Sequence, residues 1–363
     1  MRLTIKKDNL QLAVSAVGKL AVKPNAVILQ AKNGLLNVIA NTESYVRFSV
    51  PCEVEEEGTI GLQFSVFSDL LKLRKKTILL NHHKGENTLN VEGGSRVGVF
   101  ILEATEDQYE LPEKTWDSTI KMSSESIAVL RRMVNDVSFT YILAGENDQA
   151  RLVNSEDGFT IQFADSAHCA FYEYKKPLSK VQFEFQSFIA PLRTILSFID
   201  EKCTINVSES MLMFESEQLT ATIAASQTGQ IDYIKQSMEF IEDSYYSKGC
   251  VVFSVEDFSK VLESISVVSD DSEPFQFKMR DKRIRLKMKT VQGFSEDSLK
   301  IEKNSVGDLE QSLSLPLMRN VLDCCASIDD KITMSVSHEE KFYRLTASTE
   351  NVTVKCLAPF TAN

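Results

Sequence analysis

The amino-acid sequence predicts an α+β fold of three tandem domains, each made of two β-α-β-β-β half-repeats whose two helices pack on antiparallel sheets. Three observations carry this prediction. One order of elements, strand, helix, then three strands, recurs six times at a spacing of roughly 60 residues. Each helical segment gathers its apolar residues on one face. The strand segments alternate or concentrate apolar residues as half-buried or fully buried strands do. Paired, the units make domains of about 120 residues, an ordinary domain size, bounded at 1–117, 118–245 and 246–363.

The first unit opens with a strand at 2–6 and a helix that aligns Leu10, Ala13, Val14, Val17 and Leu20, followed by strand-like runs at 26–31, 35–40 and 45–50. In the second, a strand at 59–63 leads into a helix carrying Phe67, Leu70 and Leu71 and reaching Lys76, then runs at 77–81, 88–92 and 96–102. The third starts near Thr119, with Ser123 placed to cap a helix bearing Ile127, Leu130, Met133, Val134 and Val137. Its strands are 151–154, 159–164 and 168–174. The fourth, from near Val181, has a helix with Ile189, Leu192, Ile195, Leu196 and Ile199 and strands at 203–207, 211–215 and 219–225. The fifth starts near Cys250, where Ser254 and Asp257 resemble a capping box ahead of Phe258, Val261, Leu262 and Ile265. The sixth, from near Gln311, has Ser314 as N-cap and Pro316 in the first helical turn, where its missing N–H costs nothing. Junctions fall at 105–118, around Pro112, and at 229–249. Within each pair the two helices are expected to cover one side of a sheet built from that pair's own strands. Their other faces then meet solvent or a ligand, so the charges there decide the function.

A chain of 363 residues exceeds what one core usually organises. It holds no apolar run of about 18 residues, the length of a membrane span. Met1 runs directly into Arg2-Leu3-Thr4-Ile5-Lys6-Lys7 rather than into a charged-then-apolar leader. The expectation is a cytoplasmic, untethered protein with no membrane partner. The seven cysteines, Cys52, Cys169, Cys203, Cys250, Cys324, Cys325 and Cys356, include no Cys-x-x-Cys pair or zinc-type spacing, so they read as reduced, packed thiols. A net charge of -11 opposes an exterior that binds nucleic acid all round, because phosphate is repelled by it. A local basic track remains compatible with that charge.

Cations gather on the helical segments. The second helix ends with Lys72, Arg74, Lys75 and Lys76, and Lys72 with Lys75 or Lys76 is expected to share a helical face. Lys19 and Lys23 follow the first helix, Arg131 and Arg132 lie inside the third, Arg193 in the fourth and Arg319 in the sixth. Complementing a helix dipole explains Lys75 and Lys76 equally well, but not the mid-helix pair Arg131 and Arg132. Together these residues suit a nonspecific phosphate track.

Several local features, in order along essentially the whole chain, resemble the bacterial-type sliding clamp, the beta subunit of DNA polymerase III. They are Arg2-Leu3-Thr4-Ile5 before a helix, Lys23-Pro24 after it, residues 64–74 with their basic end, the strand-turn-strand at 160–174, Gln230-Ile231-Asp232-Tyr233, and the tail Leu357-Ala358-Pro359-Phe360. The resemblance implies three tandem DNA-clamp (processivity-fold) domains in a head-to-tail homodimer, a ring that surrounds duplex DNA without reading its sequence. It implies an interface near Val97 and Val99 on one protomer and Val267 and Val268 on its partner. It also implies a pocket that takes short linear peptides of the DNA polymerase and the clamp loader, here Ala164, Asp165, His168, Cys169, Ile231, Tyr233, Lys235, Leu357, Ala358, Pro359 and Phe360. Ser166-Ala167-His168 stands where the family has Gly-His-Arg, and Phe360-Thr361-Ala362-Asn363 where it ends Met-Arg-Leu. These departures mark a divergent member, of a kind a phage or mobile element could encode.

An enzyme would need convergent reactive groups. The sequence has no Gly-rich phosphate loop, Gly-x-Ser-x-Gly elbow, His-x-x-x-His pair or dinucleotide fingerprint. No cofactor, metal site or catalytic residue is expected. His82-His83 reads as an exposed turn, and the acidic clusters at 53–57 and 270–273 as solvated loops. The competing reading is a non-replicative scaffold, or a peptide- or glycan-binding protein, built from the same repeat.

Overall fold

The computed structural model describes residues 1–21, 24–105, 109–111, 115–141, 149–164, 169–225, 234, 236, 247–269 and 274–361, without the side chains of 137–141, 149 and 164. Among the described residues six α-helices occur: α1 (Lys7–Leu20), α2 (Phe64–Asp69), α3 (Ser124–Tyr141), α4 (Ile189–Leu196), α5 (Val255–Ser266) and α6 (Leu315–Ala326). Each follows a strand and precedes at least three more, in the predicted order. The N-caps are those expected. Ser123 Oγ accepts from Ser126 N–H at 3.1 Å, Ser254 Oγ from Asp257 N–H at 3.2 Å, and Ser314 Oγ from Leu317 N–H at 3.4 Å.

Two departures are local. The second helix ends at Asp69, continues as a 3-10 turn at Leu70–Lys72, and leaves Leu73 extended. The backbone there is drawn onto neighbouring strands, with Lys75 N–H donating to Gly93 C=O and Lys7 N–H to Lys76 C=O. Arg74, Lys75 and Lys76 therefore lie on a bend, and the expected shared helical face does not exist. Glu53–Glu56, expected as solvated loop, is a short strand at a sheet edge. Its carboxylates protect that edge from pairing with another chain.

The chain forms two compact units. The first comprises Met1–Ala128 and Pro191–Ala225. Its five-stranded sheet runs Glu53–Glu56, Arg2–Lys6, Thr77–Asn81, Thr88–Glu92, Arg96–Phe100. Its eight-stranded sheet runs Ser118–Met122, Cys203–Ser208, Met211–Glu215, Leu219–Ala224, Tyr45–Pro51, Leu35–Asn41, Ala26–Lys32, Gly58–Gln63. The second comprises Val129–Ala190 and Ser226–Asn363. Its nine-stranded sheet runs Phe183–Phe188, Gln149–Asn154, Phe159–Ala164, Cys169–Tyr174, Val352–Pro359, Phe342–Ser348, Lys331–Ser337, Ser247–Ser254, Lys303–Asn304. Its four-stranded sheet runs Gly293–Lys300, Arg283–Thr290, Pro274–Arg280, Leu309–Ser314.

Sheets are thus not confined to the strands of one predicted pair, which corrects that expectation. Leu219 pairs with Phe48, and Cys169 with Leu357, across positions far apart in sequence. The reason is edge satisfaction: an open strand that finds an antiparallel neighbour pairs its free N–H and C=O groups. Helices cover the inner sheet faces. In the second unit α5 and α6 bury Phe258, Leu262, Ile265, Met318 and Val321 against Phe275, Phe277, Ile284, Leu286 and Met334 in one cluster. In the first unit part of an outer face is buried too, because Ala104, just before the predicted junction, and Tyr109 and Leu111 within it pack on Ile28, Ile39 and Tyr45.

Candidate nucleic-acid and peptide interfaces

The Cys169–Tyr174 strand reads Cys-Ala-Phe-Tyr-Glu-Tyr, and its first four residues are all buried. Apolar residues at consecutive positions mean cover on both sides of the sheet. Ala170 and Tyr172 turn one way. Cys169 and Phe171 turn the other, onto the face that also carries their cross-strand partners Leu357 and Lys355. There Cys169, Phe171, Leu357 and Ile234 form a small buried cluster with half-buried Phe342 packed against it. Lys355 Nζ lies 5.0 Å over the Phe171 ring and adds a cation at the rim.

Of the residues expected in a peptide pocket, Cys169 and Leu357 are brought together here, and Pro359 pairs across to Phe342. The pleat sends the next residues elsewhere. Ala358 is fully buried in the core between the helices and the sheet, and Phe360 packs its ring on Tyr343, 5.1 Å between centroids. Ala358 and Phe360 therefore lie on the opposite face of the strand from Leu357. Of Ala164 only the backbone is described, and Asp165, His168, Ile231, Tyr233 and Lys235 lie outside the described residues. Sequence reading missed Phe171, Ile234, Phe342 and Lys355. The signal available was the four-residue apolar run of Cys169–Tyr172, which exceeds what a one-sided strand needs.

The cations of the expected DNA track are dispersed among helix ends, a bend and helix interiors. Lys19 is exposed in the last turn of α1, its Nζ 5.9 Å from the Phe198 ring centroid. Lys72 pairs with Asp69 at 2.7 Å on the surface, a pairing worth little in water. Arg74, Lys75 and Lys76 are exposed on the bend. Arg193 is exposed in the last turn of α4, and Arg131 and Arg319 are half-buried on α3 and α6. Lys23 lies outside the described residues. Helix α5 stands apart, since it presents Glu256, Asp257 and Glu263 with one cation, Lys260, bonded to Glu256 at 2.5 Å.

Arg132 has a different occupation. Its guanidinium donates to Ser327 C=O, at the C-terminal end of α6, at 2.8 Å, and lies 3.7 Å from Asp136 Oδ2. A cation on the last carbonyls of a helix satisfies groups that have no intrahelical partner. Asp136 accepts from Tyr172 Oη–H at 2.9 Å. Burial pushes the Asp136 carboxyl up from its ordinary pKa, while the Tyr172 bond and the Arg132 charge pull it down. Burial, and then the neighbouring Asp136, push the Tyr172 phenol up. Burial likewise raises the nearby Cys324 thiol, and takes Cys203 and Cys325 to about 12. These cysteines are poor nucleophiles where they sit, and no disulfide joins any of the seven.

Each unit ends one sheet in an exposed apolar edge. In the first unit the outermost strand Arg96–Phe100 exposes Val97 and Phe100, the latter 81 % accessible, with Leu102 just beyond and Val99 half-buried. In the second, the edge strand Gly293–Lys300 exposes Phe294, with Val291 in the preceding turn, Val267 exposed at the end of α5 and Val268 half-buried. Of the expected interface valines, Val97 and Val99 thus lie on one edge strand, and Val267 and Val268 follow α5. Phe100, Leu102, Val291 and Phe294 were not anticipated, because exposure of an apolar residue is decided by what fails to cover it.

Among the described residues no cluster of His, Cys, Asp and Glu is arranged to hold a metal ion, and no helix is long and apolar enough to cross a membrane. No family model and no curated protein sequence matches the chain. Solved structures do. The chain is similar to DNA polymerase III beta chain from Streptococcus pneumoniae (TM-score 0.82, 13% identity, 100% of both chains). It is equally similar to the DNA polymerase sliding clamp from Bacillus subtilis (0.82, 15%, 100% of this chain and 99% of that one). The DNA polymerase III subunit beta from Pseudomonas aeruginosa also matches (0.82, 14%, 100% of both). At such identities the likeness is one of fold, and it extends from one end of the chain to the other.

Proposed function

We propose that this protein is a DNA sliding clamp, a non-enzymatic processivity factor for DNA replication that surrounds duplex DNA and tethers a polymerase to it. The observation that carries the reading is the end-to-end coincidence of fold with DNA polymerase III beta subunits, covering all of this chain and all or nearly all of theirs. On this reading the chain is three clamp domains, 1–117, 118–245 and 246–363, each of two half-repeats. Lys19, Lys23, Lys72, Arg74, Lys75, Lys76, Arg131, Arg193 and Arg319 contact phosphates without reading bases. Arg132 contributes less, because its guanidinium already serves Ser327 and Asp136.

Two protomers close the ring head to tail. The edge bearing Val97, Val99, Phe100 and Leu102 meets the partner's edge at Val267, Val268, Val291 and Phe294, a heterologous contact that closes on itself. Pairing two open strand edges satisfies their backbone groups while burying these side chains. The Cys169, Phe171, Leu357, Ile234 and Phe342 patch receives the apolar anchors of short linear peptides from the polymerase and the clamp loader.

Topology provides the test. A clamp assembled on nicked circular DNA is expected to stay through gel filtration in high salt and to leave when the circle is cut. Equal retention on cut and uncut DNA, or none on either, removes the proposal.

A further inference from the structure

The four-stranded sheet of the second unit turns its apolar residues, Phe275, Phe277, Met279, Ile284, Leu286 and Met288, into the core. Its outward positions are cationic. The central strand Arg283–Thr290 presents Arg283, Arg285, Lys287 and Lys289 at every second residue, and its neighbours add Lys278, Arg280 and Lys300. Register places like charges directly opposite one another: Arg280 faces Arg283, Lys278 faces Arg285, and Arg283 also faces Lys300. Such pairings are unfavourable in a sheet. An ordinary solvated face would intersperse the signs. The eight-stranded sheet of the first unit instead has neutral groups bonded across strands, such as Gln30 with Asn37 and Asn37 with Ser49.

Among the described residues, carboxylates meet the cationic face only at its flanks. Glu310 takes Lys278 at 2.6 Å, Asp308 approaches Arg280 at 3.9 Å, and Glu296 takes Arg285 at 3.2 Å. Among the described residues Arg283, Lys287, Lys289 and Lys300 form no ion pair with a carboxylate, in a chain of net charge -11; Lys287 stands opposite Glu296, which turns to Arg285 instead. The central row spans about 20 Å, from three two-residue strand steps.

We propose that this outward face is a second, sequence-nonspecific nucleic-acid contact, which holds a phosphodiester backbone along the Arg283–Thr290 strand. The chemistry fits an extended polyanion with regularly spaced charges. An acidic peptide is disfavoured, because the row from Arg283 to Lys287 offers charge and no apolar anchor for a side chain, and exposed Phe294 stands only at its end, opposite Lys289. The inference does not depend on the clamp reading, since it concerns a separate surface and short linear DNA that cannot be held topologically.

The experiment is fluorescence anisotropy of the full chain with a labelled single-stranded oligonucleotide and its duplex, over a range of salt, for the wild type and the R283Q/K287Q/K289Q variant. Loss of three phosphate contacts is expected to weaken binding at least about tenfold at low salt and to flatten the log–log salt slope by about 2 for single strands, or nearly 3 for duplex. Whichever form shows the larger change is the occupant. The companion variant K75Q/K76Q/R193Q should leave that loss unchanged in proportion. If the sheet variant binds as the wild type does while the companion variant loses affinity, the proposal is overturned. It is equally overturned if the sheet variant changes only the binding of poly-glutamate or of anionic vesicles. Arg283 is the mutated residue that faces like charges, Arg280 and Lys300, so R283Q alone should keep or raise the thermal midpoint, and a lowered midpoint would contradict the repulsion on which the inference stands. A clamp reading that fails the circular-DNA test leaves these outcomes unaffected.

Discussion

Asp136 shows how one side chain is committed by its surroundings. Burial raises its pKa, so between the ordinary carboxylate range and that raised value the folded state binds more protons than the unfolded chain. Stability should therefore fall as pH rises through that window. In D136N this decline should flatten in chemical unfolding followed across pH, and an unchanged profile would show that the carboxyl does not titrate there. Gly158 is committed by space: a Cβ would stand 2.4 Å from Tyr174 C=O, closer than a real contact allows. Backbone must shift to admit it, so Gly158→Ala should cost about 1–3 kcal/mol, read as a lower urea midpoint. In the sequence Asp136 is one charged residue of a helical segment and Gly158 one glycine between two strand segments. Their constraints come from Tyr172 and Tyr174, which only the fold brings near.

Elements were the most legible level. The apolar stripes of α1, α3, α5 and α6 and the caps at Ser123, Ser254 and Ser314 follow from spacing alone, because a helix reports its buried face through residues three and four apart. The end of α2 was not legible, since hydrogen bonds from Lys75 to Gly93 and from Lys7 to Lys76 decide it. The Val352–Pro359 strand carries a sharper lesson. Its pleat separates Leu357 from Ala358, and Phe360 then packs on Tyr343. Truncation should distinguish the two faces. Phe342→Ala is expected to weaken a polymerase-derived peptide about tenfold, about 1.4 kcal/mol, whereas Phe360→Ala should lower the thermal midpoint and leave peptide affinity nearly intact. The reverse pattern in calorimetry would return Phe360 to the pocket.

For the whole molecule, the proposed assembly rests on edges that no other strand of the same sheet occupies. Phe100 is largely exposed in the protomer, so F100E should change protomer stability by no more than about 0.5 kcal/mol while shifting sedimentation from dimer toward monomer. Dimer preserved in F100E would move the interface elsewhere. Excess acid and DNA encirclement are compatible because charge is partitioned: Glu53–Glu56 lies along a sheet edge, whereas Arg74, Lys75, Lys76 and Arg193 end helical segments. Net charge sums over surfaces that act separately.

By itself the sequence determined the succession of elements, their apolar faces and most helix starts, because those depend on neighbours within one or two turns. Its resemblance to a clamp pointed to a fold that the full-length structural likeness bears out. Only the tertiary structure decided which strands share a sheet, which side chains of the 357–360 tail face the same way, and where cations meet carboxylates or one another. Those outcomes depend on register between segments distant in the chain. A shift of a single residue there turns every side chain of a strand to the opposite face.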